Sequence, residues 1–183
     1  MINRRDWMSA AALAAIAPAE GADIAARGVA QLPRGAKMPA FTFLYECVAT
    51  IAPPLNFGPT LDGERRVIPI TGGTFKGPRM QGQVVANGAD WNLSRRDGAS
   101  SVDAAYYLRT EDQVLIRIVN RGIGARTAPP GSTASELFFM YTHPEFQAPT
   151  GKYDWLNRGM FIGTLGARRG MNNEVLIRVF ELT

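Results

Sequence analysis

The stretch Ile68-Pro69-Ile70-Thr71-Gly72-Gly73-Thr74-Phe75-Lys76-Gly77-Pro78 decides the fold. An apolar run leads into two consecutive glycines, and one aromatic residue and a Gly-Pro pair follow. Glycine allows a strand to bend where a side chain would clash with a neighbouring backbone. The stretch therefore predicts a strand that turns a tight corner, as strands do in a β-barrel.

Alternating apolar and polar residues predict a strand from Phe41 to Ile51, which Pro53 and Pro54 end. Seven further strands are predicted at residues 64–71, 80–86 with an extension through 93, 101–110, 114–120, 136–142, 159–165 and 174–182. No segment after Phe41 has a sustained helical period, so no helix is expected to cover a sheet face. About eight strands joined by polar, Gly- and Pro-rich connections predict an all-β fold, a single closed, up-and-down, antiparallel barrel, because closure leaves no edge exposed. The interior of such a barrel holds its own side chains or one small ligand.

The first 40 residues lie outside the predicted barrel. In residues 1–19, two arginines precede an aromatic residue and an alanine-rich stretch, and Ala17-Pro18-Ala19 supplies the small residues of a cleavage site. This resembles a twin-arginine export signal and predicts a periplasmic or secreted protein that begins near Glu20. A frayed amphipathic helix is the alternative, and the apolar run is too short for a permanent membrane anchor. Residues 20–40 are expected to form a flexible leader and residues 41–183 the barrel domain.

Composition limits the chemistry that the chain can support. The 183 residues include one cysteine, Cys47, and one histidine, His143, and the formal net charge is +4. These numbers exclude an internal disulfide and a Cys/His zinc site, so we expect no metal and no cofactor, although an all-carboxylate site stays open. Cys47 is interpreted as a buried, inert thiol and His143 as a loop residue. Each arginine pair has acids nearby, so nucleic-acid binding is not expected.

Polar residues converge at one mouth of the predicted barrel. Up-and-down topology brings the long connections to that mouth, and long loops on a rigid scaffold commonly carry binding sites. Asp90, Asp103 and Asn120 fall at or near it from three strands. Asn120 is in phase with the apolar face of its strand and is predicted to point inward. A carboxylate pointing inward would be desolvated, and its raised pKa would suit acid–base catalysis.

The candidate catalytic residues are therefore Asp90, Asp103, Asn120 and Tyr107, and the candidate substrate-binding residues are Trp91, Tyr106, Thr71 and Arg121. One of the two tyrosines would donate a hydrogen bond to a developing oxyanion, and the tryptophan would form an apolar wall. Arginines expected at this mouth favour an acidic ligand, and nearby acids dilute their field. These arginines are Arg65, Arg66, Arg95, Arg96, Arg121, Arg126, Arg168 and Arg169.

Structural roles remain open for the same residues. Asp90 would instead cap its turn through backbone N–H groups, and Asp103 would pair with Arg109 or Arg121. Asn120, which Arg121 and a glycine follow, would likewise belong to a turn.

Five motifs occur in the order of a known family: Pro69-Ile70-Thr71-Gly72-Gly73-Thr74-Phe75, Gly88-Ala89-Asp90-Trp91, Arg96-Asp97-Gly98, Asn120-Arg121-Gly122 and Trp155-Leu156-Asn157-Arg158. Together they resemble the bacterial and fungal family labelled domain of unknown function 3237, over about residues 41–182. That family is similar to small barrels of the allene oxide cyclase and dirigent type. The resemblance implies a cavity for a small, mostly apolar molecule and, by analogy, cofactor-free cyclisation, isomerisation or addition.

One motif departs from the family pattern. Where the family is expected to read Asp-Ala-Arg-Tyr, this chain has Asp103-Ala104-Ala105-Tyr106. Ala105 removes the arginine that would pair with Asp103. Either the pocket is enlarged and the aspartate is free to act, or the site is degenerate.

Three functions follow as hypotheses. The first is a cofactor-independent enzyme of the lyase, isomerase or cyclase type that acts on a small oxygenated aromatic or alicyclic compound. The second is a lipocalin-like protein that binds a small apolar or acidic ligand without turnover. The third is a structural module with a packed interior that forms a homo-oligomer. A hollow interior would exclude the third, and a cavity carboxylate with a raised pKa would favour the first.

Overall fold

The computed structural model describes residues 38–125, 139–167 and 173–183. Nine strands follow one another in this part of the chain: β1 (Phe41–Ile51), β2 (Leu55–Pro59), β3 (Gly63–Lys76), β4 (Gln81–Arg95), β5 (Ala99–Thr110), β6 (Leu115–Ala125), β7 (Phe139–Gln147), β8 (Phe161–Ala167) and β9 (Glu174–Leu182). A short 3-10 helix, Asp154–Asn157, lies between β7 and β8.

The strands form one closed antiparallel barrel. Consecutive strands from β3 to β9 pair with each other, β9 pairs with β1, and β1 pairs with the second half of β3. The predicted eight-stranded, up-and-down barrel is therefore confirmed. The additional strand β2, which pairs with the first half of β3, was not predicted from the sequence.

The double glycine forms the predicted corner. Gly72 and Gly73 have φ values of 152° and 134°, a region that residues with side chains rarely adopt. A Cβ atom on Gly73 would collide with the backbone carbonyl of Val48 on β1. The register between β3 and β4 shifts between Ile70 and Thr74, which is the signature of a β-bulge. The bulge bends β3 where its partner changes from β2 to β1.

Several strands are longer than predicted, among them β4 and β7. β4 continues to Arg95, two residues beyond its predicted extension through residue 93, because the strand absorbs an irregularity around Asn87, whose φ is 75°. β7 extends past Pro144 to Gln147. Its pairing with β8 ends at Thr142, so the missing N–H of the proline costs no hydrogen bond on that side.

One end of the barrel, the closed end, is filled with aromatic side chains. The rings of Tyr45 and Phe75 lie 5.5 Å apart and those of Phe146 and Phe161 lie 4.8 Å apart, all edge to face. The 3-10 helix adds Leu156, which is 1% exposed. These side chains form the aromatic part of the hydrophobic core at this end.

Side chains around the 3-10 helix fasten it to the closed end. The side-chain amide of Asn157 bonds both backbone groups of Ala148, at 2.8 and 2.9 Å. The guanidinium of Arg79 stacks 3.4 Å from the ring centroid of Trp155.

Residues 39–183 form one compact unit. The predicted export signal, residues 1–19, lies outside the described residues, as does nearly all of the predicted leader, residues 20–40. Within the described ranges, no helix is long and apolar enough to cross a membrane.

Candidate functional site

A cavity of about 110 Å³ lies inside the barrel, at the end opposite the closed end. Aliphatic side chains from β1, β3, β8 and β9 form most of its wall. Its polar groups come from five residues, Arg66, Asp90, Asn92, Tyr106 and Asn120. The interior is therefore hollow at this end, which contradicts the fully packed interior of the third hypothesis.

Strand register brings the two central polar residues to one level. Asp90 on β4 is opposite Ala104 on β5, and Ala104 is opposite Asn120 on β6. Ile68 and Pro144 extend this set, called here the central row, to β3 and β7. Residues opposite each other on neighbouring strands point to the same face of a sheet. The methyl group of Ala104 therefore leaves open space between the carboxylate and the amide.

Asp90 is buried, with 9% of its surface exposed. Its Oδ1 accepts a hydrogen bond from the backbone N–H of Asp103 at 2.9 Å, and its Oδ2 accepts one from Nδ2 of Asn92 at 3.2 Å. Burial raises the pKa of the Asp90 carboxyl, because the charged form loses solvation. These two hydrogen bonds and the charge of Arg66 oppose that rise.

Asn92 connects this carboxylate to the mouth of the barrel. Its Oδ1 accepts a hydrogen bond from Nε of Arg66 at 2.8 Å, and its Nδ2 also donates to the backbone carbonyl of Ser101 at 2.9 Å. Both polar atoms of this buried amide are therefore satisfied, and the side chain holds Asp90 in one orientation. The sequence predicted Arg66 only as one of the arginines at the mouth, and Asn92 was not predicted, although each is two residues from an inward-facing member of the central row.

The side-chain amide of Asn120, in contrast to that of Asn92, has no hydrogen-bond partner among the described residues. It is 0% exposed, and neither its Nδ2 nor its Oδ1 makes a hydrogen bond to any residue that the structure describes. An unsatisfied buried polar group typically costs about 1–3 kcal/mol of stability. The inward orientation predicted for this residue is confirmed, and β6 continues beyond it, so the alternative of a turn does not hold.

Two tyrosines lie beneath the central row. Tyr106 lines the cavity, and Tyr45 packs below it; the hydroxyl groups of both are buried and make no well-formed hydrogen bond to the described residues. Burial raises the pKa of both phenols, so they stay protonated at neutral pH. Tyr106 thus lines the cavity with a protonated hydroxyl, and its substrate-binding role stays a prediction.

Five of the candidate residues lie on the outer face of the barrel instead. β5 alternates strictly, and because Ala104 and Tyr106 point inward, Asp103 and Tyr107 must point outward. Nε of Arg121 lies 3.1 Å from Oδ1 of Asp103, and both side chains are more than half exposed. The expected catalytic role of Asp103 is thus replaced by its alternative, the surface ion pair.

The other outward residues are corrected for the same reason. Tyr107 and Trp91 are each 47% exposed, and neither contributes to the cavity wall. Thr71 is exposed beside the corner and donates a hydrogen bond to Oγ1 of Thr50 at 3.0 Å. Asp90, by contrast, lies within a strand and bonds across to β5, so the proposed turn cap does not describe it.

Neither the single cysteine nor the single histidine is part of the cavity wall. Cys47 is fully buried, and burial raises the pKa of its thiol to about 12, which agrees with the interpretation as an inert thiol. His143 belongs to β7 rather than to a loop, and its exposed ring lies 3.0 Å from the backbone carbonyl of Phe161.

Three of the described arginines expected at the mouth, Arg65, Arg95 and Arg121, have acidic partners on the outside. Arg65 lies 3.7 Å from Asp62, and Arg95 lies 2.6 Å from Asp97. Only Arg66 among the described arginines reaches the cavity wall. The expected Arg126, Arg168 and Arg169 fall outside the described residues.

Comparison with known proteins gives a family and a fold. The model of the family described as "Protein of unknown function (DUF3237)" matches residues 39–182. A UPF0311 protein of Rhodopseudomonas palustris is 29% identical over 129 residues, which are 67% of this chain and 84% of that protein.

Solved structures agree with the barrel. A beta-barrel like protein from Acinetobacter baumannii is 28% identical with a TM-score of 0.74, covering 82% of this chain and 100% of that chain. The structure of an enzyme from Penicillium herquei is 21% identical with a TM-score of 0.62, covering 81% of this chain and 99% of that chain. At that identity, the second likeness shows the fold alone.

Proposed function

The chain belongs to the DUF3237 family, as its motifs predicted, and from this premise we propose that its barrel is a cofactor-independent enzyme for a small oxygenated ring compound. The substrate binds in the cavity between Asp90 and Asn120, and the reaction is an acid–base isomerisation, cyclisation or elimination. The observation that carries the proposal is the Asn120 amide, which is buried in the cavity wall and makes no hydrogen bond from either polar atom to any residue that the structure describes. A group that costs stability in the empty protein is explained if a ligand satisfies it.

The size of the cavity supports a compound of one ring. An engineered apolar cavity of about 150 Å³ binds benzene. The cavity here, about 110 Å³, is of the same order and also carries polar groups on one side. Mostly apolar walls with a few convergent polar groups are the usual composition of a small-molecule site.

The two central polar residues have complementary roles in this proposal. The ionised carboxylate of Asp90 takes a proton from the carbon next to the carbonyl group of the substrate. The Nδ2–H group of Asn120 donates a hydrogen bond to the carbonyl oxygen, on which negative charge develops. In an isomerisation or cyclisation the proton then returns to another atom of the same molecule, and in an elimination it is transferred to the leaving group, which departs as a neutral molecule, so charge and atoms balance without a cofactor. A carboxyl pKa raised toward neutrality suits both steps.

Asn92 and Arg66 are positioning residues in this proposal. The hydrogen bonds of Asn92 fix the carboxylate of Asp90, and Nε of Arg66 fixes Asn92. A second function, ligand binding without turnover, is favoured by the same unsatisfied amide, because Asn120 requires only a bound partner and not a reaction.

Hydrogen exchange at carbon separates the two functions. Cyclohexanone is incubated with the protein in deuterated water, and NMR follows the loss of the protons next to its carbonyl. We expect the wild-type protein to accelerate this exchange, Asp90→Asn to lose at least about 100-fold of the acceleration, and Asp103→Asn to keep it. Asp103→Asn is the matched control because its carboxylate lies on the outer face of the neighbouring strand.

Each result decides between the functions. Binding of cyclohexanone with no accelerated exchange would leave the binding protein and reject this acid–base role. Equal losses in the two variants would reject Asp90 as the base. Absence of both binding and exchange would count against the cavity as a site for ring ketones.

A further inference from the structure

The amide of Asn120 offers a donor and an acceptor side by side. Its Nδ2 carries two N–H groups and its Oδ1 accepts, and both are unsatisfied among the described residues. A 180° rotation of the side-chain amide exchanges the positions of Oδ1 and Nδ2. Because neither atom has a partner among the described residues, both orientations offer one donor and one acceptor to a ligand. A ligand with a single acceptor would satisfy Nδ2 and leave Oδ1 buried without a partner.

The charges around this amide disfavour an anionic partner. The carboxylate of Asp90 lies in the same row, one strand beyond Ala104. The nearest cation on the cavity wall, Arg66, lies on β3, and its Nε is bonded to Asn92. The remaining wall is aliphatic and would leave a second negative charge poorly solvated. An uncharged ligand avoids both costs.

We infer that the ligand of this cavity carries, on adjacent atoms, one hydrogen-bond acceptor and one donor, and that this uncharged group pairs with the amide of Asn120 through two hydrogen bonds. A lactam and a 2-hydroxy ketone both have this pattern. The ring lies over Ala104, the small residue of the central row. This inference rests on the proposed function insofar as it uses the same cavity, and it adds the chemical class of the ligand.

Two probes of one ring size test the pattern. The ring of 2-piperidone has adjacent N–H and C=O groups, whereas cyclohexanone has only the C=O group. Titration calorimetry measures both dissociation constants with the wild-type protein and with Asn120→Leu. The ratio of the dissociation constant of 2-piperidone to that of cyclohexanone is then compared between the wild type and the variant. This comparison cancels the difference in hydrophobicity between the two probes. We expect Asn120→Leu to lower the preference for the lactam about tenfold, which corresponds to a change of roughly 1.4 kcal/mol in relative binding free energy.

A second comparison needs no variant. In N-methyl-2-piperidone the donor is blocked, and 2-methylcyclohexanone has the same outline. With the wild-type protein, the methyl group should weaken binding of the lactam about tenfold more than it weakens binding of the ketone.

The outcomes distinguish this inference from the proposed function. If all four probes bind and both comparisons show equal ratios, the site for ring compounds stands and the paired donor and acceptor are wrong. That result would mean that water satisfies Asn120. If benzoate binds more tightly than 2-piperidone, the uncharged class is overturned. If no probe binds, the inference and the proposed site fall together.

Discussion

Asp90 and Asn120 face the same cavity at one level of the barrel, separated by the single strand that carries Ala104. Two strand spacings place their Cα atoms about 10 Å apart. The oxygens of Asp90 accept two hydrogen bonds, whereas the amide of Asn120 has none from the described residues. One residue is thus held by the protein, and the other is available to a ligand.

Replacing Asn120 by leucine should stabilise the empty protein. The substitution removes two unsatisfied polar atoms and keeps a side chain of similar size. We expect the free energy of unfolding to rise by about 1–2 kcal/mol, seen as an increase in the urea midpoint. Asn92→Leu is the control, because that amide is equally buried and makes three hydrogen bonds. It should lose stability, and a similar loss in both variants would show that Asn120 has partners.

Filling the space over Ala104 should abolish ligand binding. In Ala104→Leu, three additional carbon atoms would occupy the room between Asp90 and Asn120. We expect the affinity for cyclohexanone to fall at least about tenfold, because the cavity has the size of one ring. Ala105→Leu changes the next residue of β5, which faces outward, and should bind as the wild type does. Equal affinities in the two variants would place the ligand elsewhere.

Local patterns were sufficient to predict the fold. Alternation along β1 and β5 identified strands, and the glycines at 72 and 73 identified the corner. β2 was missed because its five residues pair with only half of β3 and carry no alternation. β4 was predicted as a strand to residue 86 with an extension through residue 93, because its irregularity near Asn87 resembles a turn in sequence.

The site was predicted less completely for a different reason. The side chain of Asn120 was predicted to point inward, because the residues that precede it at two-residue spacing along β6 are all apolar. β5 is apolar on both faces in places, so its pattern did not show that Ala104, rather than Asp103, points inward. Alternation gives faces within a strand, whereas a site is made of contacts between strands. The network of Arg66, Asn92 and Asp90 depends on the register of β3 with β4, which the sequence does not show.

The carboxyl of Asp90 should make stability fall as pH rises. Its folded pKa is raised, mainly by burial, with Arg66 opposing and the charge of Asp103 adding to the rise. Above about pH 4 the unfolded chain loses this proton while the folded protein keeps it. The unfolded state then binds fewer protons, so the free energy of unfolding decreases until pH passes the folded pKa.

Urea unfolding at several pH values from 4 to 8 measures this decrease in the free energy of unfolding. Asp90→Asn should lack the decrease that Asp90 contributes, and Asp103→Asn should retain it. A wild-type profile parallel to that of Asp90→Asn would contradict a raised pKa for the Asp90 carboxyl.

Asp112, in the hairpin between β5 and β6, should stabilise the closed end, and the stability that it contributes should decrease as pH falls. The carboxylate accepts hydrogen bonds from Nζ of Lys152 at 2.8 Å and from the hydroxyl of Tyr153 at 2.9 Å, and the bond from Lys152 is the main reason why the pKa of Asp112 lies well below its usual range. A lowered folded pKa contributes stability that is fully present above the unfolded pKa, about 4, and is lost as pH falls toward the folded value.

Asp112→Asn should therefore lower the thermal midpoint at pH 7, and this difference from the wild type should shrink below pH 4. Asp154→Asn removes an exposed ion pair with Arg158, the residue that follows the 3-10 helix, and should change the midpoint less. A difference between Asp112→Asn and the wild type that stays constant down to pH 2 would mean that this carboxylate does not hold the closed end by its charge.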